Sequence, residues 1–142
     1  MLNFTHLLVG AAIASKVNPV LGLPLAFVSH FALDAIPHYD GAYPKRPYQL
    51  LPMLQLAADF LIGIVVLARL TAGRADQSYL VIAALVAILP DVQYGLHYNY
   101  GIGKLFRGMM EFHERIQLPL RPPPYFVTTV ATTLIAIWFL VS

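Results

Sequence analysis

Five stretches of this chain run for the length of a helix with almost no Asp, Glu, Lys or Arg in them. Residues 2–17 hold only Lys16, residues 19–36 only Asp34, residues 48–70 only Asp59 and Arg69, residues 78–98 only Asp91, and residues 125–141 none. A helix at the surface of a soluble protein shows charge on its outer face, whereas one that is apolar all round is enclosed in protein or in lipid. With 58% hydrophobic and 11% charged residues over 142 positions, the chain is too poor in polar side chains to cover five such helices in water. The segments therefore predict an all-α polytopic membrane helical bundle of four to five short spans plus one interfacial amphipathic helix. Residues 1–142 form a single membrane-embedded domain in this reading.

Helix breakers set the boundaries. Asn18-Pro19 turns the chain between two apolar arms, which predicts a helical hairpin over residues 2–36. Its first arm, at roughly 24 Å for sixteen residues, falls short of a ~30 Å hydrocarbon core, so it crosses thinly or re-enters. Pro37 ends the second arm by pushing Ile36 out of the helical region. A turn-rich loop follows through Asp40-Gly41 and Pro44 to Pro47, and spans are then expected over about 48–70, 78–98 and 125–141. Between Gly101 and Leu118, the residues Ile102, Leu105, Phe106, Met109, His113 and Ile116 recur at three- and four-residue spacing, while Lys104, Arg107, Glu111 and Arg115 fall elsewhere. That pattern predicts an amphipathic helix over about 102–117 lying in the bilayer interface.

The same layout limits function. The first seventeen residues lack a basic start and a cleavage site and carry His6 within the apolar run, so no secretory signal peptide is expected. The absence of cysteine excludes disulfides and thiolate ligands, leaving imidazole nitrogen and carboxylate oxygen for any metal. A net charge of +2 scattered over loops excludes nucleic acid as a partner. Six basic residues, Lys45, Arg46, Lys104, Arg107, Arg115 and Arg121, fall on one side of the zigzag, and three, Lys16, Arg69 and Arg74, on the other. The richer side is expected to face the cytoplasm.

Segment parity then places all five histidines on that richer side, together with every acid except Asp76 and the mid-span Asp59. An acid within a span costs about 2.5 to 3.5 kcal/mol on insertion scales, so Asp34 and Asp59 require partners. The densest signal is Ser29-His30-Phe31-Ala32-Leu33-Asp34-Ala35-Ile36-Pro37-His38-Tyr39-Asp40. His30 and Asp34 stand four apart on one helix face, and His38 and Asp40 can fold back over them once Pro37 has ended the helix. Two imidazoles and two carboxylates suit Zn²⁺, Mn²⁺ or Fe²⁺ and not an all-oxygen Ca²⁺ cage. His6 and Asp91 are further candidates, set against capping and interfacial roles. His113 takes an apolar position on the interfacial helix, which points it inward. His97 lies six residues past Asp91, about 240° around a continuous helix, and cannot share its site unless the helix ends between them. Glu111, four residues from Arg107 and Arg115, reads as a surface ion-pair partner. The sequence carries no phosphate loop, no nucleophile elbow and no His-Glu-x-x-His.

Thr5-His6-Leu7-Leu8-Val9-Gly10, His30-x-x-x-Asp34-x-x-Pro37-His38-x-Asp40 and Leu89-Pro90-Asp91 together resemble the bacterial and archaeal membrane-bound metal-dependent hydrolase family, the YdjM-like inner-membrane proteins. That family is considered remotely related to zinc-dependent phospholipase C and P1 nuclease. The resemblance implies His6, His30, Asp34, His38, Asp40 and Asp91 as metal ligands, zinc as the first metal with manganese or iron as alternatives, and a place in the prokaryotic inner membrane with the site facing the cytoplasm. The expected function is hydrolysis of a phosphoester in a lipid or amphiphile at the interface, with Asp40 or Asp59 as general base. The expected partners are the lipid bilayer, that substrate and a second copy of the chain. Two other classes stay open: a divalent-ion or proton transporter lined by Asp34, Asp59 and Asp91, and a non-catalytic membrane scaffold with a structural metal.

Overall fold

The computed structural model describes residues 1–39, 50–100, 107–117, 119–120 and 125–142. Among these the chain is all-α, with seven helices: α1 (Asn3–Lys16), α2 (Pro19–Asp34), α3 (Leu50–Leu70), α4 (Gln77–Ala87), α5 (Leu89–Tyr100), α6 (Arg107–Ile116) and α7 (Tyr125–Val141). The only extended pairing among the described residues is two residues long, β1 (His38–Tyr39) lying parallel to β2 (Pro119–Leu120).

α1 is the axis of the molecule. It packs against α2, α3, α4 and α7, and Leu7, Leu8, Ala11, Ala12 and Ala14 are all buried. A helix can be enclosed on so many sides only where its neighbours' backbones come close, and here small residues at four-residue spacing permit it. Gly10 and Ala14 of α1 meet Gly22 and Ala26 of α2 and Ala83 and Ala87 of α4. A Cβ on Gly10 would lie 2.5 Å from the Ala87 Cβ and 3.0 Å from the Ala83 carbonyl oxygen.

Local chemistry sets the ends of each helix. Asn18 caps α2 by accepting from the Leu21 N–H at 3.1 Å, with Pro19 at the first helical position where no N–H is needed. Gly73, at φ 79°, supplies the left-handed residue in the turn between α3 and α4. In that turn Arg74 pairs with both oxygens of Asp76 and reaches the Leu140 carbonyl at the end of α7, tying the pole opposite the histidines together. The arm expected over 78–98 is two helices bent by 41° around Ile88. Pro90 is the cause, because its ring offers no N–H and crowds the carbonyl four residues back.

The outer surface reverses the usual pattern. Val20, Leu50, Val127 and Trp138 are more than 60% exposed, while the interior mixes leucines and alanines with threonines and histidines. α3 is long and apolar enough to cross a membrane, and α4 with α5 would do so only as one broken span. α1, α2 and α7 are shorter. Gly10→Val should lower stability by about 1 to 3 kcal/mol through overpacking, a drop of several degrees in Tm. Gly95→Ala is the control, since nothing lies within 4 Å of its Cβ position. Thermal unfolding of the two purified variants should separate them clearly.

Candidate metal centre

Asp34 ends α2 with its side chain fully buried, and four imidazoles surround it. Its two oxygens face different groups. Oδ2 lies 3.2 Å from His30 Nε2 and 2.7 Å from His113 Nε2. Oδ1 lies 3.2 Å from His6 Nε2 and 3.9 Å from His38 Nε2, and it also accepts from the Met1 amino group. Asp91 completes the first group, with Oδ1 at 3.6 Å from His30 Nε2 and 3.9 Å from His113 Nε2. His30, Asp34, Asp91 and His113 offer ligand atoms that all lie within 4.8 Å of one another, and all four residues are buried; this group could hold a metal ion.

Each side chain is delivered by a local feature. His30 and Asp34 share a face of α2 by their spacing of four. His30 Nδ1 donates to the Ala87 carbonyl at 2.9 Å, one of the last carbonyls of α4, which has no intrahelical N–H to receive. Pro37 turns the chain out of α2, Thr128 Oγ1 donates to the Pro37 carbonyl at 2.7 Å, and β1 is held beside β2. That fold-back buries His38, whose Nδ1 donates to the Ile36 carbonyl at 2.7 Å. Asp91 sits in the first turn of α5, just past the bend at Pro90. α6 lays its apolar side on the bundle, burying Met110 and His113 and leaving Arg107 paired with Glu111 at 2.9 Å on the outside. Phe31 of α2 and Tyr94 of α5 flank the His113 ring edge-on, each with its centroid at 5.8 Å.

The protonation states set the site's chemistry. A neutral imidazole that donates through Nδ1 carries its lone pair on Nε2, so His38, whose burial disfavours the charged form, turns a lone pair toward the Asp34 carboxylate, and His30, anchored the same way, presents its Nε2 to the same group. His38 Nε2 is buried and has no hydrogen-bond partner among the described residues, and neither ring nitrogen of His6 has one. His113 Nε2 is approached by the Gln117 amide nitrogen at 3.3 Å, by His30 Nε2 at 3.1 Å and by a carboxylate oxygen at 2.7 Å. One proton on one nitrogen cannot satisfy all three. Converging lone pairs of this kind are relieved by a cation, and carbonyl-anchored Nδ1 atoms are the arrangement that holds imidazoles as metal ligands. The donors are nitrogen and carboxylate oxygen only, so the residues present fit a borderline divalent ion.

Of the residues expected from sequence, His6, His30, Asp34, His38, Asp91 and His113 come together here. Asp40 lies outside the described residues. Asp59 is not in the cluster: its Oδ2 accepts from the Phe4 N–H at 3.2 Å. His97, although on α5 with Asp91, lines a separate cleft of about 340 Å³ with Arg107, Met110, Glu111 and Glu114. The Ala87 carbonyl and the Met1 amino group have no signal in the sequence, whereas Gln117 could have been found from its spacing of four from His113. Compared with known proteins, the chain matches no family model, no curated protein and no solved structure.

Burial holds the His38 pKa below its ordinary 6.5. A base with a depressed folded pKa stabilises the fold above its unfolded pKa, and that stability is lost as the pH falls below it. Metal-free protein should therefore unfold more readily at pH 5 than at pH 7. His38→Gln should reduce that pH dependence, as read from denaturant midpoints across the range.

Proposed function

We propose that this chain is a membrane-embedded, metal-dependent hydrolase that acts at the bilayer interface on a phosphoester in a lipid or other amphiphile. The observation that supports this best is the division of labour at Asp34, which turns one oxygen to His30 and His113 and the other to His6 and His38. A carboxylate shared in this way suits two neighbouring ions. His30, His113, Asp91 and Asp34 would hold one, and His6, His38 and Asp34 the other, once the Met1 amino group has left Oδ1. Zinc is the first choice for both, with manganese or iron as alternatives. Ions bound there would supply a nucleophilic water at neutral pH and neutralise phosphoryl charge.

The bundle's surface supports the membrane setting. The exposed apolar faces of α2, α3 and α7 are suited to hydrocarbon, and we read the bundle as four to five short spans with α6 at the interface. Lys16, Arg69 and Arg74 gather at the pole away from the cluster, in keeping with a cytoplasmic site in a prokaryotic inner membrane. α6 brings His113 to the cluster while Arg107 stays 79% exposed, so this helix would act as a lid whose outer basic residues hold an anionic headgroup. Substrate would enter sideways from the bilayer. Asp40, two residues after His38 in sequence, is the remaining carboxylate for proton abstraction.

One observation favours a second reading. His30 and Asp34 are fully buried and His113 is only 2% exposed, as in a structural ion site whose coordination positions are all filled by protein. Metal analysis and hydrolysis assays together decide between them. The purified protein should carry at least one equivalent of zinc, manganese or iron, and His30→Ala or Asp34→Ala should remove most of it. The loaded protein should release headgroup from phospholipid vesicles or cleave a chromogenic phosphodiester. Stoichiometric metal with no turnover of either substrate would assign the ion a structural role, and a protein without metal would end both readings.

A further inference from the structure

α1 begins without a cap of its own. Leu2 stands at the N-cap position, and its side chain has no oxygen to offer the first N–H groups of the helix. Its carbonyl receives the Thr5 and His6 N–H groups at 3.0 and 3.3 Å, but Phe4 has to look elsewhere. The partner comes from another helix: Asp59 of α3 accepts from the Phe4 N–H. A carboxylate at a helix N-terminus is also favoured by the helix dipole, which gives this intramembrane acid the partner that its insertion cost demands.

α3 reaches α1 because the next residue on the same face, four positions along, is Gly63. A Cβ there would lie 2.6 Å from Leu7 Cδ1 and 3.2 Å from the Phe4 Cα. Asp59 and Gly63 thus clasp the turn from Phe4 to Leu7, and His6 is inside that turn.

His6 differs from the other imidazoles of the cluster in how it is held. His30 and His38 are each anchored through Nδ1 to a carbonyl, at 2.9 and 2.7 Å. Neither nitrogen of His6 has a hydrogen-bond partner among the described residues, and its ring is stacked on His30 with centroids 4.1 Å apart. Its Nε2 lies 3.2 Å from Asp34 Oδ1, and with neither nitrogen anchored to a carbonyl the ring's place there depends on where the first turn of α1 is fixed.

We propose that Asp59 is a positioning residue for the metal centre, which caps α1 from α3 and thereby holds His6 Nε2 toward Asp34 Oδ1. The role rests on the metal-centre reading above and concerns the ion on the His6 and His38 side.

The test is Zn²⁺ and Co²⁺ titration of the full-length metal-free protein and its variants, with hydrogen exchange at the Phe4 amide measured alongside. Asp59→Ala should weaken the ion on the His6 side by about 10- to 100-fold, the usual effect of losing a support behind a ligand, and should speed Phe4 exchange. Asp59→Asn keeps a carbonyl oxygen to accept the Phe4 N–H and should stay within a few-fold of wild type. Gly63→Ala separates α3 from α1 without touching a polar group and should reproduce the Asp59→Ala loss, which keeps the idea testable if Asp59→Ala folds poorly. His6→Ala combined with Asp59→Ala should bind no worse than His6→Ala alone. Wild-type affinity in both Asp59→Ala and Gly63→Ala, or losses from His6→Ala and Asp59→Ala that multiply, would overturn the positioning role and leave the metal centre standing. A wild-type protein that takes up no metal would overturn both.

Discussion

A carboxylate with no exposed surface is the constraint around which this molecule is arranged. Asp34 stands among four imidazoles, and an ionised acid so placed must be compensated by positive charge or by donors that point at it. The groups that meet it come from α1, α2, the strand after α2, and α6. Their convergence requires the hairpin, the fold-back at Pro37 and the docking of α6 to occur together. The bend at Ile88 belongs to the same set, since it ends α4 where the Ala87 carbonyl can receive His30 and starts α5 where Asp91 can face the cluster.

The scaffold around this group is held by close backbone approach as well as by buried leucines. α1 is enclosed by neighbours through Gly10, Ala11 and Ala14, and its partners present Gly22, Ala26, Ala83 and Ala87 in return. Short side chains lose little entropy on ordering, and they let helix backbones approach until dispersion contacts are dense. Polar residues add fixed points: Thr5 meets Thr133 at 2.9 Å between α1 and α7, on the α1 turn that carries His6. Leucines fill the space between these close contacts, with Leu7, Leu8, Leu67, Leu80 and Leu140 all buried, while Val20, Leu50, Val127 and Trp138 are exposed.

Much of the architecture could be read from local features. The charge-free runs, Asn18-Pro19 and Pro37 each act within a turn or two of their own position, and α1, α2, α3 and α7 form close to where those features put them, while residues 102–106 of the expected amphipathic helix lie outside the described residues. The gathering of His6, His30, Asp34 and His38 at one pole followed from chain parity alone. Asp59 was harder to read. An acid in an apolar helix signals that a partner exists, but the partner was a backbone N–H on another helix, a group that every residue has and that no pattern marks. Pro90 was visible, yet the size of the bend depends on how α4 and α5 pack against their neighbours.

By itself, then, the sequence determined that the chain is all-α and that His30 and Asp34 share one helix face, because periodicity and helix breakers act through bonds and near neighbours. Only the tertiary structure decided which of the other histidines and acids meet them. His113 lies 79 positions from Asp34 and comes within 2.7 Å of it, while His97 shares a helix with Asp91 and faces a separate cleft. The physical reason is that contact across helices depends on rotation and depth to within a fraction of a turn. Those are set by the close fit of glycines and alanines and by the bend at Ile88, quantities that arise only when all the helices are packed at once.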